Sequence, residues 1–321
     1  MSKTPIVPII GGGPAGMSCA LWLHNYGLRP VLIEKEATLG GMARRSPYPN
    51  EWLLGRPGES ARENADGFAR HIGQAGVETL IGAQPRRVRC GSAFALELET
   101  SGRPAAQSWS CPALVIATGT RFGGEEWLGS VKNARQIAAS GRVHVGPSWA
   151  GEPGADWGSH VAVIGGGDNA FDVSRILVEK GVRATIVMRS KSPKARPLLV
   201  ERLREHETSG MATVMAERTV EALEEAGPTL RVRLSGGGEI EVDHVVLLLG
   251  YRPNTSEPWL AELAPKQDPN GYLIVDGNME TSCRGVFAVG DVANPVHPCI
   301  ATALASGTMA AREIARRLSL R

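Results

Sequence analysis

Ile9-Ile10-Gly11-Gly12-Gly13-Pro14-Ala15-Gly16 and, further along, Val163-Ile164-Gly165-Gly166-Gly167-Asp168-Asn169-Ala170 are two copies of one pattern. In each, an apolar run ends in G-x-G-x-x-G/A and a helical periodicity follows. That is the order of a strand, a glycine turn and a helix binding a dinucleotide. Gly11 permits the tight turn, Gly13 lets backbone N–H groups reach a pyrophosphate, and Gly16 lets helix and strand pack closely. The helix N-terminus favours the phosphate charge. In the second copy Gly165 and Gly167 repeat these positions, and Ala170 is small enough for the third.

The copies differ in the residue that follows. Eighteen residues after Gly16 stands Glu34, which ends the next apolar run; eighteen after Ala170 stands Met188, followed by Arg189. A carboxylate such as Glu34 accepts hydrogen bonds from the two ribose hydroxyls of an adenosine and repels a 2′-phosphate. Met188 with Arg189, Lys191, Lys194 and Arg196 nearby favours that phosphate, and Arg189 can also stack on an adenine plane. For Lys194 and Arg196 a solvated basic loop is an equal alternative. The second nucleotide is therefore expected to be NADPH rather than NADH. Two unlike nucleotides in one chain imply an electron path between them.

Outward from these motifs the same unit occurs twice. The first has a strand at Ile6–Ile10, with Pro8 unusual inside it, a helix over 13–26 stopped by Gly27, and a strand over 31–34. A tight turn follows at Leu39-Gly40-Gly41, then an amphipathic helix over 59–75. A β-rich stretch over 86–100 leads to a buried strand over 113–117, capped by Thr118-Gly119. The second unit runs through a strand over 160–164, a helix to about Lys180, a strand over 185–188, a β-rich stretch near 230–242 and an apolar strand over 245–249. After Gly250 nothing repeats: a strand over 286–289, then Gly290-Asp291, then a last helix over 298–318. The expected fold is α/β, with two Rossmann-like (three-layer ββα) dinucleotide-binding domains, the second inserted into the first. The expected boundaries are 1–119 and 250–321 for one domain and 120–249 for the other, joined by a two-stranded hinge at 118–121 and 249–252.

The chain has 321 residues, 42% hydrophobic and 21% charged, with a net charge of +2. So small a charge gives no electrostatic case for nucleic acid or a membrane surface. Arg312, Arg316, Arg317 and Arg321 read as a solvated helix face. No run approaches the ~20 apolar residues of a membrane helix. A strand beginning at Ile6 leaves no room for a signal peptide, so a cytoplasmic location is expected. The five cysteines (Cys19, Cys90, Cys111, Cys283, Cys299) form no C-x-x-C or zinc pattern, so free thiols and no metal site are expected.

Taken together, Gly11–Gly16, Glu34 with Gly40-Gly41, Ala117-Thr118-Gly119, Gly165–Ala170, Gly250-Tyr251-Arg252-Pro253-Asn254 and Gly290-Asp291 identify a resemblance. Over nearly its whole length the chain resembles flavoproteins of the low-molecular-weight thioredoxin reductase type. The resemblance implies FAD in the split domain, NADPH in the inserted one, a domain rotation and a homodimer. For FAD it implies Gly11, Gly13, Pro14, Ala15, Gly16, Glu34, Lys35, Gly41, Met42, Asn50, Thr118, Gly119, Gly290, Asp291, Cys299 and Ile300. Asp291 would hold the ribityl or phosphate region, and the backbone N–H of Ile300 or Ala301 would meet the flavin N1/O2 edge. Asn50 and Trp52 would lie beside the isoalloxazine ring, with a core aromatic as the alternative for Trp52. For NADPH it implies Gly165, Gly166, Gly167, Asp168, Asn169, Ala170, Arg189, Lys191, Arg196 and Gly250.

One departure redirects the functional expectation. Thioredoxin reductases carry a C-x-x-C pair just before the second glycine motif, whereas residues 141–159 here contain no cysteine. Without an internal dithiol, thioredoxin reduction is not expected. The chain instead resembles the branch lacking the CxxC, ferredoxin–NADP reductases of thioredoxin reductase type. Electrons would pass from NADPH through FAD to a ferredoxin, a flavodoxin or a small molecule. His297 and Cys299 are the candidate reactive side chains near the flavin. Cys299, at a helix N-terminus, supports an alternative reading as a single-thiol reductase of small disulfides. A non-catalytic flavin-binding sensor or scaffold is the other alternative.

Overall fold

The structure is a computed structural model that describes residues 5–100 and 103–319. The chain divides into two compact units. One runs to Arg121 and resumes at Arg252, and the other is Phe122–Tyr251. The connecting strands Thr120–Phe122 and Tyr251–Pro253 pair with each other as a two-stranded sheet.

The sheet of the split unit orders its strands Val286–Ala288, Leu114–Ile116, Ile6–Ile10, Arg29–Glu34, Glu78–Ile81, with every neighbouring pair parallel. A parallel sheet is covered on both faces, and the strand alternation shows what covers each. Val7, Ile9, Leu32, Val115 and Phe287 share a core with the helices Pro14–Asn25, Ala61–Gln74 and Ile300–Ser319. Ile10, Val31, Ile33, Leu114 and Ile116 point the other way, onto Val88, Leu96 and Leu98 of an antiparallel sheet formed by Ala83–Arg89, Phe94–Thr100 and Arg103–Cys111. This is a three-layer ββα arrangement. Pro8 fits inside the central strand because the ladder to Leu114–Ile116 begins only at Ile9.

The inserted unit repeats the plan. Its parallel sheet orders Ala212–Met215, Arg183–Val187, His160–Ile164, His244–Leu247, Val143–Val145. Val161, Val163, Ile186 and Val246 pack with Phe171 and Leu177 of the helix Asp168–Glu179. Ala162, Ile164, Val187 and Val245 pack with Leu223, Leu230 and Val232 of a three-stranded antiparallel sheet.

Two local expectations change. The last helix starts at Ile300, after Pro298 rather than at it. Its basic end is also only in part a solvated face, since Arg317 departs from it. Arg317 reaches Glu280 at 2.5 and 2.8 Å and Glu313 at 2.6 Å, while Arg316 makes two bonds to the same Glu313. Hydrogen bonds from Arg316 and Arg317 pull the buried Glu313 carboxyl down to about 2. Glu280, from another part of the chain, supplies the second anion. Arg317 therefore clamps the helix end to Glu280, while Arg312 and the Glu313-paired Arg316 stay on the exposed face; Arg321 lies outside the described residues. Among the described residues, no helix is long and apolar enough to cross a membrane.

Candidate dinucleotide sites

In the split unit, close backbone approach dictates the glycines. Gly11 has φ +113°, and a Cβ there would lie 2.2 Å from the Ala117 carbonyl oxygen. A Cβ on Gly16 would lie 2.0 Å from the Gly11 carbonyl oxygen. Neither position can carry a side chain without moving backbone. Gly13 is different: the nearest atom to a Cβ would be Gly41 Cα at 4.0 Å. Packing therefore does not require a glycine there, and the space beside it stays open. The Gly40-Gly41 turn is tied down over the loop by a bond from Gly40 N to the Gly12 carbonyl at 2.8 Å, and it leads into the short helix Gly41–Arg44 that contains Met42.

Glu34 is buried at the strand end, with its two carboxylate oxygens on backbone donors: Oε2 accepts from Gly12 N at 2.7 Å and Oε1 from Glu36 N at 2.8 Å. An ionised carboxylate has about four lone-pair positions, so two remain for ribose hydroxyls. The Gly12 contact was not anticipated from the sequence; the extra glycine between Gly11 and Gly13 is the signal that could have shown it. Thr118 is pinned by its Oγ1 donating to Asn254 O at 3.0 Å and its carbonyl accepting from Asn254 Nδ2 at 2.8 Å. Gly119 O accepts from Asn254 N at 2.9 Å. Exposed Lys35 lies 3.8 Å from Glu257.

At the other end of the unit, Gly290 (φ +75°) lies against Ala15, where a Cβ would approach to 2.7 Å. Asp291 follows it. Its Oδ1 is buried without a hydrogen-bond partner, and burial pushes its carboxyl up to about 6. A buried orphaned carboxylate oxygen beside a glycine cradle calls for donors that the described residues do not supply. The hydroxyl-rich ribityl chain of FAD is such a group, so the residues present fit that cofactor.

The segment before the last helix is ordered by its own polar groups. Thr302 Oγ1 donates to His297 O at 2.9 Å, Cys299 N donates to Thr302 Oγ1 at 3.3 Å, and Thr302 N meets Cys299 Sγ at 3.5 Å. Cys299 thus caps the helix that Ile300 begins. His297 is exposed, with its backbone N–H on Asn294 Oδ1 at 3.2 Å. Asn50 donates from N to Glu59 O at 2.8 Å and from its amide to the Asn64 side chain at 3.5 Å. Trp52 is 74% exposed, which overturns the core-aromatic alternative: its loop carries it away from both apolar faces of the sheet.

The inserted unit builds the same loop from different chemistry. A Cβ on Gly165 (φ +147°) would lie 2.4 Å from Leu248 O, the counterpart of the Gly11 approach. A Cβ on Gly166 would meet Met188 Cβ and Sδ at 3.2 Å, so buried Met188 stands against Gly166 as Glu34 stands against Gly12. Gly167 and Gly250 would meet nothing. The following loop is tied back here too, from Lys194 N to Gly166 O at 2.7 Å. Arg189 and Lys191 are exposed beside Met188. Arg196 is drawn to the first turn of the helix, where its N and Nε each reach an Asp168 oxygen at 2.8 Å. Asn169 donates to the Tyr251 hydroxyl at 3.2 Å, and Ala170 is fully buried.

Where a C-x-x-C pair was absent from the sequence there is a short helix, Ser148–Gly151. Its Trp149 stacks on His144 at 3.8 Å and 8°, and His144 Nε2 lies 3.1 Å from His244 Nδ1. Burial, with His244 beside it, lowers His144 to about 4. Among the described residues no group of three or more His, Cys, Asp or Glu could hold a metal ion.

Two Rossmann-like units, each with a glycine cradle and differing in the group opposite it, define an oxidoreductase with two dinucleotides. The chain belongs to the pyridine nucleotide-disulphide oxidoreductase family, whose model matches residues 6–312. It is an NADPH-dependent flavin oxidoreductase, with FAD and NADPH as its cofactors. It is 30% identical over 313 residues to a ferredoxin–NADP reductase of Ignicoccus hospitalis, covering 94% of each chain. A ferredoxin–NADP reductase of Limosilactobacillus fermentum is 28% identical, with 89% of this chain and 84% of that one covered. Among solved structures, thioredoxin reductase of T. acidophilum superposes with a TM-score of 0.82 at 25% identity, over 98% of both chains.

Proposed function

We propose that FAD lies in the split unit and NADPH in the inserted one. We further propose that electrons leave to an external acceptor without an internal dithiol, most directly to a ferredoxin- or flavodoxin-type protein. The observation that carries this reading is the paired contrast between Gly12–Glu34 and Gly166–Met188. One loop presents a carboxylate to ribose hydroxyls; the other presents an apolar side chain flanked by cations. Ser148–Gly151, in place of a C-x-x-C, supports the absence of a dithiol step, and the names of the two reductase relatives support the acceptor class.

The roles of the residues follow. Gly11, Gly13, Pro14, Ala15 and Gly16 open the first cradle to a pyrophosphate, under a cover formed by Gly41 and Met42. Glu34 orients the adenosine ribose, with Lys35 at the rim. Thr118 and Gly119, fixed by Asn254, border the same crevice, and Asn50 borders its flavin end. Gly290 lets the backbone approach closely, and Asp291 binds the ribityl chain through Oδ1. The N–H of Ile300 or Ala301, at a helix start positioned by Cys299, faces the electron-rich edge of the ring. In the inserted unit Gly165, Gly166, Gly167 and Asn169 seat the second pyrophosphate, and Arg189 with Lys191 takes the 2′-phosphate. Asp168 holds Arg196 at the mouth, and Gly250 leaves space there. FAD, when bound, supplies the exchange between two-electron and one-electron carriers that nicotinamide cannot perform.

Anaerobic stopped-flow mixing tests the reading. NADPH should bleach the flavin absorbance, and the reduced protein should then reoxidise with ferredoxins or flavodoxins faster than with small disulfides. If NADPH leaves the absorbance unchanged, the protein is a binder rather than an enzyme. If only a disulfide drains the electrons and Cys299→Ser stops it, the single-thiol alternative replaces this one.

A further inference from the structure

Tyr251 lies 81 residues beyond the glycine loop Gly165–Ala170, yet it is bonded to that loop. Its hydroxyl accepts from Asn169 Nδ2 at 3.2 Å, and Asn169 sits in the first turn of the helix Asp168–Glu179. A pyrophosphate meets the backbone N–H groups at that turn. The Tyr251 ring is itself held, tilted 37° against Phe122 at 5.5 Å. Phe122 in turn lies over Gly146 (φ +89°), where a Cβ would fall 2.3 Å from the Phe122 ring. Gly146 N donates to Leu247 O at 2.9 Å, so the contact chain ends on the parallel sheet of the inserted unit. All of these residues belong to that unit.

The local chemistry gives this chain of contacts a purpose. An asparagine amide at a helix start is free to rotate between solvent, its own backbone and a ligand. An acceptor fixed at 3.2 Å leaves it one orientation, with its carbonyl oxygen and second N–H directed by the same constraint. Ordering the amide before the ligand arrives lowers the entropy lost on binding.

We propose that Tyr251 is a positioning residue for the dinucleotide of the inserted unit: its hydroxyl sets the Asn169 amide against the pyrophosphate. The inference rests on the assignment of NADPH to that unit. Because the pyrophosphate is common to NADPH and NADH, Tyr251 governs affinity for both and does not discriminate between them. Arg189 governs the 2′-phosphate alone.

The test uses the FAD-loaded protein, with flavin reduction by NADPH and NADH followed anaerobically as a function of nucleotide concentration. Tyr251→Phe removes only the hydroxyl and keeps the ring on Phe122. It should raise the half-saturating concentration about fivefold for both nucleotides, the loss expected for one neutral hydrogen bond. The limiting rate should stay within about twofold. Adenosine 2′-monophosphate has the 2′-phosphate but no phosphate at the 5′ position, and should inhibit wild type and Tyr251→Phe equally. Asn169→Ala should reproduce the Tyr251→Phe phenotype, and the double variant should be no worse than Asn169→Ala alone, since the two act as one unit.

Unchanged saturation in Tyr251→Phe overturns the inference, and so does additivity in the double variant. A rise for NADPH alone overturns it too, because it would move Tyr251 to the 2′-phosphate. A wild type that NADPH never reduces ends the assignment beneath it, a failure visible before any variant is made.

Discussion

The two glycine loops of this chain share a backbone and differ in every chemical detail that matters. In both, the first glycine brings its Cα against a carbonyl of the neighbouring strand's end, Ala117 in one and Leu248 in the other. In both, the loop after the second strand donates an N–H to the middle glycine's carbonyl, from Gly40 or from Lys194. Yet the residue facing the middle glycine is an acid in one and a thioether in the other. The third small residue must be glycine in the first, where a Cβ would strike the Gly11 carbonyl at 2.0 Å, but is alanine in the second. On the proposed reading, backbone geometry makes the dinucleotide site and one side chain then chooses the dinucleotide.

The harshest way to break the comparison is Gly16→Ala. It should displace the helix Pro14–Asn25, lower stability by about 3 kcal/mol and abolish flavin retention. The mirror change, Ala170→Gly, should cost no more than about 1 kcal/mol. Thermal melts and flavin content would decide, and equal effects would mean that the loops are not built alike. Next in size is Arg189→Ala. Losing a charge-assisted phosphate contact of ~1.5–3 kcal/mol should weaken NADPH about ten- to a hundredfold while sparing NADH. Met188→Glu should push the preference the same way by restoring the carboxylate of the first loop. Equal losses for the two nucleotides would remove the 2′-phosphate from the account.

Acid sharpens the contrast more gently. His144 titrates near 6.5 when unfolded and at about 4 when folded. The inserted unit therefore keeps this stability above pH 6.5 and loses it as pH falls toward 4. Asp291 is shifted the other way, to about 6. In the flavin-free protein the split unit should gain stability as pH falls from about 6 to 4, the folded state taking up the proton first. Glu313, held at about 2 by Arg316 and Arg317, withdraws its stabilisation only as pH drops from its ordinary range toward 2. Exchange protection measured at pH 7 and 4.5 should fall in Val143–Val145 and His244–Leu247 before it falls in Val286–Ala288. His144→Asn should flatten that response, and uniform loss across both units would contradict it. The smallest expected effect is Cys299→Ser. A serine can keep the helix cap with Thr302, so flavin reduction by NADPH should change less than twofold.

Much of this was legible in the chain because it depends on local rules. Glycine spacing, the apolar run of the strand Ile6–Ile10 and the helical period over 59–75 need only a few residues of context. The Glu34/Met188 difference could be counted off by spacing because both copies hold the same strand–helix–strand length. The misreadings came from long-range partners. Arg317 looked like a solvated cation because Glu280, 37 residues away, is invisible to helical periodicity. Trp52 could not be placed because a loop without a repeat does not report which way it faces.

By itself, then, the order of residues determined the two units, their parallel sheets and the unlike chemistry of their nucleotide loops, since hydrophobic period and glycine stereochemistry act within one turn or one strand. Tertiary structure alone decided that Glu34 is locked by Gly12 and Glu36, that Asp291 carries an oxygen with no partner, and that Tyr251 reaches Asn169 across 82 residues. Those facts depend on burial and on direction in space, and a hydrogen bond is satisfied or orphaned only once the whole chain has closed around it.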